Sequence, residues 1–218
     1  MTSAVTASVP DMAQVDDVGE LLLRAASKIL ASEGAAALTV RRIAREAGVS
    51  TMNVYSRFGS KDGVVDRLYM DGFSGLRDAI AAETRDDPMA DLVACAQAYR
   101  RFALANRTYY AVMFGGVIAD FKPSPDAAEH ATGTLALLAQ RLADAMDAGL
   151  LTRADPMQTA AVMWATTHGV VSLELQSVGP PVIDWAVVYD TACRAVLAGL
   201  AASPAPSVAT ARSGGRPR

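Results

Sequence analysis

From residue 18 onward, apolar side chains recur at helical spacing. Val18, Leu21, Leu22, Ala25 and Ile29 line one face of a first helix, and Gly34 offers its stop. Thr39 is placed to cap a short second helix with an apolar face of Val40, Ile43, Ala44 and Ala47. Gly48 sits where a left-handed residue would end it. Ser50 is placed to cap a third helix over 51–58, and Gly59-Ser60 restarts the chain into a fourth over 61–84 carrying Val65, Leu68, Tyr69, Leu76 and Ile80. The same period continues at about 88–106, 108–115, 126–148, 155–177 and 182–201, with Pro88, Pro125, Pro156 and Gly179-Pro180-Pro181 as punctuation. No alternation bounded by hairpin turns interrupts it, and no long repeat is visible, so the expected fold class is all-α with about nine helices.

The ends stand outside this pattern. Residues 1–16 mix small residues with Pro10 and are expected to form a flexible arm. Residues 203–218, rich in Pro, Gly, Ser and Ala with Arg212, Arg216 and Arg218, are expected to be a disordered basic tail, either inert or weakly adherent to DNA. Between them, residues 17–61 and 62–202 divide into two functional parts on the basis of charge. Residues 18–61 hold seven Lys and Arg against three Glu, and residues 62–202 hold ten cations against seventeen carboxylates. A basic block joined to an acidic remainder suits a protein whose N-terminal end meets a polyanion; the alternative is chance clustering on a solvated face.

Composition removes several classes of protein. At 218 residues and 51% hydrophobic content the chain can bury a sizeable core. No apolar run reaches the length of a membrane span; even 160–175 is broken by Thr166, Thr167, His168, Ser172 and Glu174. The first seventeen residues lack the basic start and apolar middle of a signal peptide, so a cytoplasmic location is expected and Asn106-Arg107-Thr108 is a sequon without consequence. Cys95 and Cys193 are too few for a disulfide framework or a thiolate zinc site; oxidant sensing is conceivable, but apolar surroundings favour buried, inert thiols. His130 and His168 are the only histidines, and no Ser–His–Asp order, paired-carboxylate setting, phosphate loop or His-x-x-x-His pair is visible. Neither catalysis, a metal nor a cofactor is therefore expected.

The informative stretch is residues 39–58. Two short helices meeting steeply need a small residue where their axes approach, a turn residue tolerant of positive φ and apolar residues closing the wedge. Ala44, Gly48 and the set Ile43, Val49 and Val54 supply them. This is a helix-turn-helix, whose second helix can enter a major groove about 12 Å wide. Thr39, Arg41 and Arg42 are candidate phosphate contacts at the start of the first helix of the pair. Ser50, Thr51, Met52 and Asn53 lead the second, where Thr51, Met52 and Asn53 are best placed to read bases. Tyr55 can reach the backbone beside the groove, Arg57 adds a cation to the same helix, and Lys61 gives a further phosphate anchor.

The segment Ala-Gly-Val-Ser-Thr-Met-Asn-Val-Tyr-Ser-Arg-Phe-Gly-Ser-Lys-Asp resembles the recognition segment of the TetR family of transcriptional repressors, through Gly48, Val49, Ser50, Tyr55, Phe58 and Lys61. The resemblance spans residues 18–72, and Met52-Asn53 depart from the smaller residues found in many members. Trp164-Ala-Thr-Thr-His168-Gly169 is similar to the Trp-His-Gly signature of one class of C-terminal domain in that family. The resemblance implies a C-terminal domain that encloses a small-molecule site and forms a homodimer.

Two residue patterns bear on these expectations. Tyr99, Phe102, Tyr109, Tyr110, Met113, Phe114, Met163, Trp164, Thr167 and His168 gather aromatic, thioether and polar side chains into three segments. Individually each could be core; together they read as candidate pocket lining. The 155–177 segment is apolar on nearly every side and must be covered on more than one face. With the 182–201 segment and its stripe Val182, Trp185, Ala186, Tyr189, Cys193, Val196 and Leu200, it is the expected dimer interface, Ala165 and Gly169 permitting close approach. The expected function is a repressor that binds a near-palindromic double-stranded operator as a homodimer through its last two helices and is released by a small hydrophobic or amphipathic effector. The alternative is a constitutive DNA-binding protein whose C-terminal domain only dimerises.

Overall fold

The computed structural model describes residues 16–116 and 118–202, and among them the architecture is nine α-helices with one 3-10 turn and no strand. The helices are α1 (Asp17–Glu33), α2 (Val40–Ala47), α3 (Thr51–Phe58), α4 (Lys61–Ala81), α5 (Pro88–Ala105), α6 (Arg107–Phe114), α7 (Pro125–Asp147), α8 (Pro156–Leu175) and α9 (Trp185–Leu200). Side-chain caps set most of the starts. Asp16, Thr39, Ser60, Asp87, Ser124, Asp155 and Asp184 each accept a hydrogen bond from a backbone N–H in the first turn, and Pro follows at the first position of α5, α7 and α8. Residues 1–15 and 203–218, and with them most of the expected arm and all of the expected tail, lie outside the described residues. Asp16 does not belong to a loose arm: it caps α1 and pairs with Arg57 at 2.6 Å.

Two apolar cores organise the chain. The N-terminal core packs Leu22, Ala26 and Ile29 of α1 and Ile43 and Ala44 of α2 against Val54 of α3 and Val64, Val65 and Leu68 of α4. The C-terminal core packs Phe73, Leu76 and Ile80 of α4 against α5 to α9, around Leu92, Leu142, Ala160, Val171 and Tyr189. Helix α4 therefore serves both. The sequence division at 61/62 falls at the start of this helix, while the N-terminal core runs on to Leu68, because the first two turns of α4 bury their apolar side against α1 and α3. Helix α6 joins the seam: Val112 is buried in the N-terminal core, and Tyr69 and Tyr109 touch both cores.

Close approaches fix α4 in place. A Cβ on Gly63 would lie 1.9 Å from the Phe58 carbonyl oxygen, and one on Gly72 would lie 2.7 Å from the Met113 sulfur. Ser124, the cap of α7, gives its backbone N–H and its hydroxyl to the Asp66 carboxylate at 2.8 and 2.6 Å, tying α7 to the N-terminal half of α4. At the far end, the buried Arg141 of α7 pairs with the buried Asp91 of α5 and donates to the Ile80 carbonyl of α4, so both charges are satisfied inside the core.

Candidate nucleic-acid interface and effector cavity

Helices α2 and α3 form the sharp turn that the sequence predicts. Gly48 adopts the left-handed conformation (φ 71°, ψ 27°) and ends α2, with its N–H turned back to the Ala44 and Arg45 carbonyls. Val54 is wholly buried and pins α3 against the N-terminal core, which turns the opposite side of α3 to solvent. Thr51, Met52 (69% exposed), Tyr55 (52% exposed) and Ser56 lie on that outer side, and Asn53 is partly exposed. Ser50 occupies the cap position of α3, but its hydroxyl accepts from the Asn53 side-chain amide at 3.1 Å instead of from a backbone N–H. Arg57 donates to the Asn53 side-chain oxygen Oδ1 at 2.9 Å and forms a two-pronged pair with Asp16, so the Asn53 side chain is held from both sides.

The arginines of α2 separate into two kinds. Arg42 lies along the surface and joins Glu33 and Glu46, each at 2.6 Å, while Lys28 also pairs with Glu46. Its guanidinium is engaged by carboxylates of α1 and α2. Thr39 and Arg41 are exposed, and Arg41 and Arg45 have no carboxylate partner among the described residues. Arg45 was counted in the basic block but not singled out as a candidate contact; it is exposed on the same short helix, three residues after Arg42. Lys61 stands at the first turn of α4, 3.6 Å from Asp62, with its side chain 40% exposed. Lys28 and Arg42 hold the Glu46 carboxyl down at about 2, and Arg57 does the same to Asp16.

The C-terminal lobe holds an apolar cavity of about 480 Å³, open on one side, between α4, α5, α6, α7 and α8. Of the ten candidate pocket residues, Tyr99, Met113, Phe114, Met163, Trp164 and Thr167 line it. Tyr110 and His168 instead line a second recess of about 550 Å³ between α6 and α8, with Arg107, Ser172 and Gln176; Phe114 stands in the wall between the two. Phe102 and Tyr109 line neither. Phe102 packs under Gly75, and Tyr109 lies against Gly72 at the seam of the two cores. The sequence reading missed the α4 side (Tyr69, Phe73, Leu76, Ile80) and the α7 side (Ala131, Thr134, Leu135, Leu138), which looked like ordinary helical core stripes.

The wall between the recesses is a polar knot. His168 Nδ1 lies 2.8 Å from the Tyr110 hydroxyl and 3.0 Å from that of Tyr99, and Tyr110 also meets Ser172 at 3.3 Å. Burial lowers the His168 pKa below its ordinary value, which keeps the imidazole neutral at neutral pH. Burial pushes the Cys95 and Cys193 thiols up to about 11, so neither is a reactive thiolate. Among the described residues no group of three metal-ligating side chains occurs and no helix is long and apolar enough to cross a membrane.

A basic helix-turn-helix lobe, joined by one shared helix to a larger helical lobe around an apolar cavity, defines a helix-turn-helix DNA-binding regulator. Comparison with known proteins gives its family. Residues 22–68 match the model of bacterial regulatory proteins of the tetR family, and residues 92–196 match the tetracyclin repressor-like C-terminal domain, together well over half of the chain. The HTH-type transcriptional regulator Rv1816 of Mycobacterium tuberculosis is 27% identical over 208 residues, covering 79% of this chain and 87% of that protein. A solved protein of unknown function from Rhodococcus sp. RHA1 is 28% identical with a TM-score of 0.75, over 89% of this chain and all of that one. PfmR of Thermus thermophilus, a TetR family transcriptional regulator, shares the fold at a TM-score of 0.61 and 22% identity, over 81% of this chain and 97% of its own. The chain belongs to the TetR family and is a transcriptional regulator.

Proposed function

We propose that the protein is a ligand-released repressor that binds a near-palindromic operator as a homodimer. The observation that carries this reading is the double membership of α4. Its N-terminal turns hold the core under the recognition helix, and its C-terminal turns, through Phe73, Leu76 and Ile80, form one wall of the cavity. A ligand pressing on that wall acts on the same rod that positions α3. The Ser124–Asp66 clamp adds a second path, since α7 forms another wall.

Helices α8 and α9 supply the surface for pairing. Val162 (53% exposed), Ala165, Gly169 and Leu173 form a stripe along the outer side of α8, and Val187 (60% exposed), Val188, Thr191, Ala195, Ala198 and Gly199 line the outer side of α9. This differs from the stripe read from the sequence: Tyr189 and Cys193 turn inward, with the Tyr189 hydroxyl donating to the Ala96 carbonyl at 2.6 Å. The smaller outward residues permit close packing of two copies around a twofold axis. Two recognition helices related by that axis require half-sites in inverted order.

The test has two parts. A mobility-shift assay with duplex from upstream of its own coding region identifies the operator. A thermal-shift screen then supplies ligands for competition against it. The reading expects ligand and operator to weaken each other's binding by one common factor. Operator affinity unchanged at saturating ligand is the result expected of a constitutive DNA-binding protein instead.

A further inference from the structure

The charge content of the cavity wall narrows the effector, granted the reading of the cavity as a ligand site. None of the side chains lining the 480 Å³ cavity is Asp, Glu, Lys, Arg or His. Charged and titratable groups packed behind this wall are engaged or neutral. The Asp91–Arg141 pair behind Cys95 is satisfied by the Arg85 N–H, the Ile80 carbonyl and by itself. His168, behind Tyr99, shares its Nδ1 with two tyrosine hydroxyls and is neutral at neutral pH. His130, next to the lining residue Ala131, is 2.7 Å from the Ser74 hydroxyl. A charged group seated against this wall would shed its hydration and meet no counter-charge, a cost that apolar contacts do not recover.

The remaining polar atoms define what a ligand can offer. The hydroxyls of Thr132, Thr134 and Thr167 donate to the carbonyls of Ala128, Phe73 and Met163, leaving oxygen lone pairs able to accept. One wall is a run of aromatic rings: Tyr69 lies 4.9 Å from Phe73, Phe73 5.4 Å from Phe114, and Phe114 5.9 Å from Trp164, all tilted or edge-on. Leu76, Ile80, Leu135 and Leu138 face the cavity from α4 and α7. Such a wall favours a flat ring system by offset and edge contacts. We infer that the effector is an uncharged aromatic or polycyclic molecule carrying at most neutral hydrogen-bonding groups, and that the cavity rejects the same skeleton when it bears an anionic group.

The full-length protein is titrated, without DNA, with two fluorescent probes that differ mainly by one sulfonate: neutral N-phenyl-1-naphthylamine and anionic 8-anilino-1-naphthalenesulfonate. Saturable binding of the neutral probe is expected, with the anionic probe at least tenfold weaker. Ala131→Trp, which fills the cavity from the partly exposed side of α7, is expected to weaken the neutral probe at least tenfold. Leu135→Arg, which sets a cation in the wall, is expected to narrow or reverse the preference, with folding of both variants checked by circular dichroism. Equal affinity for the two probes, no saturable binding of the neutral one, or unaltered binding to a folded Ala131→Trp protein overturns the inference. Because no DNA is present, the ligand class is judged apart from operator release: neutral-probe binding that leaves the operator complex intact keeps the ligand class and counts against the repressor mechanism alone.

Discussion

Replacing Arg41 and Arg42 with alanine, one at a time, separates two roles that neighbouring arginines on α2 could otherwise share. Arg41 is exposed with no carboxylate partner among the described residues, whereas Arg42 joins Glu33 and Glu46 at 2.6 Å. A side chain that neutralises one phosphate contributes about 0.9 to the slope of log affinity against log salt, hence ~1.8 for the two copies in a dimer. Between 50 and 200 mM salt that is a factor of roughly 3.5 per contact and ~12 per dimer. Fluorescence anisotropy of a labelled operator duplex across that range gives the slope directly. Arg41→Ala is expected to flatten it by ~1.8. Arg42→Ala is expected to leave the slope as it was and to lower the melting temperature, because it leaves Glu33 without its partner and weakens the tie between α1 and α2. An Arg42→Ala slope as flat as that of Arg41→Ala would refute the assignment of Arg42 to the scaffold.

Two further predictions rest on the same lobe. Gly63→Ala places a Cβ 1.9 Å from the Phe58 carbonyl oxygen, a backbone atom that cannot rotate away, so the cost lies at or above the top of the ~1–3 kcal/mol range for overpacking. Thermal melts should show the loss and operator affinity should fall at least tenfold as α3 is displaced; affinity within twofold of the native protein would count against the rigid α3–α4 junction. Glu46 and Asp16 are held at about 2, below their ordinary 4.5 and 3.8, so their ion pairs stabilise the fold fully above those ordinary values and lose that contribution as pH falls toward 2. The melting-temperature gap between the native protein and an Asp16→Asn, Glu46→Gln double variant should therefore be widest near pH 7 and close on acidification; a gap independent of pH would contradict the ion-pair roles.

Much of the fold was legible in the sequence because its helices are amphipathic and clearly punctuated. Gly48 and Val54 gave the turn and the buried side of α3, and Pro88, Pro125 and Pro156 marked three helix starts to within a residue. The cavity was legible only on the side where aromatic and polar residues cluster, from Tyr99 to Trp164. On α4 and α7, Phe73, Leu76, Leu135 and Leu138 have the spacing of any core stripe, and periodicity cannot distinguish a side chain that fills space from one that borders it. Charge counting could not show how Arg42 is paired, for a related reason. Its partner Glu33 is nine residues away across a turn, so that pairing depends on how α1 and α2 cross, and only the Glu46 pair, four residues on, follows a local pattern. Tyr189 and Cys193 shared the apolar stripe of α9 with residues assigned to the subunit interface, yet α9 folds onto α8 of its own chain with those two side chains inward.

Helix α4, as a rod shared by the helix-turn-helix lobe and the cavity, is the element on which the proposed regulation by a ligand rests. The most direct test measures, for the compound that most raises the melting temperature in the screen, its affinity for the free protein and for the protein saturated with operator, alongside the operator's affinity with and without that compound. A shared rod predicts that both affinities fall by one and the same factor, several-fold or greater, and that Ala131→Trp abolishes the compound's effect. Ligand and operator binding with no influence on each other would contradict it.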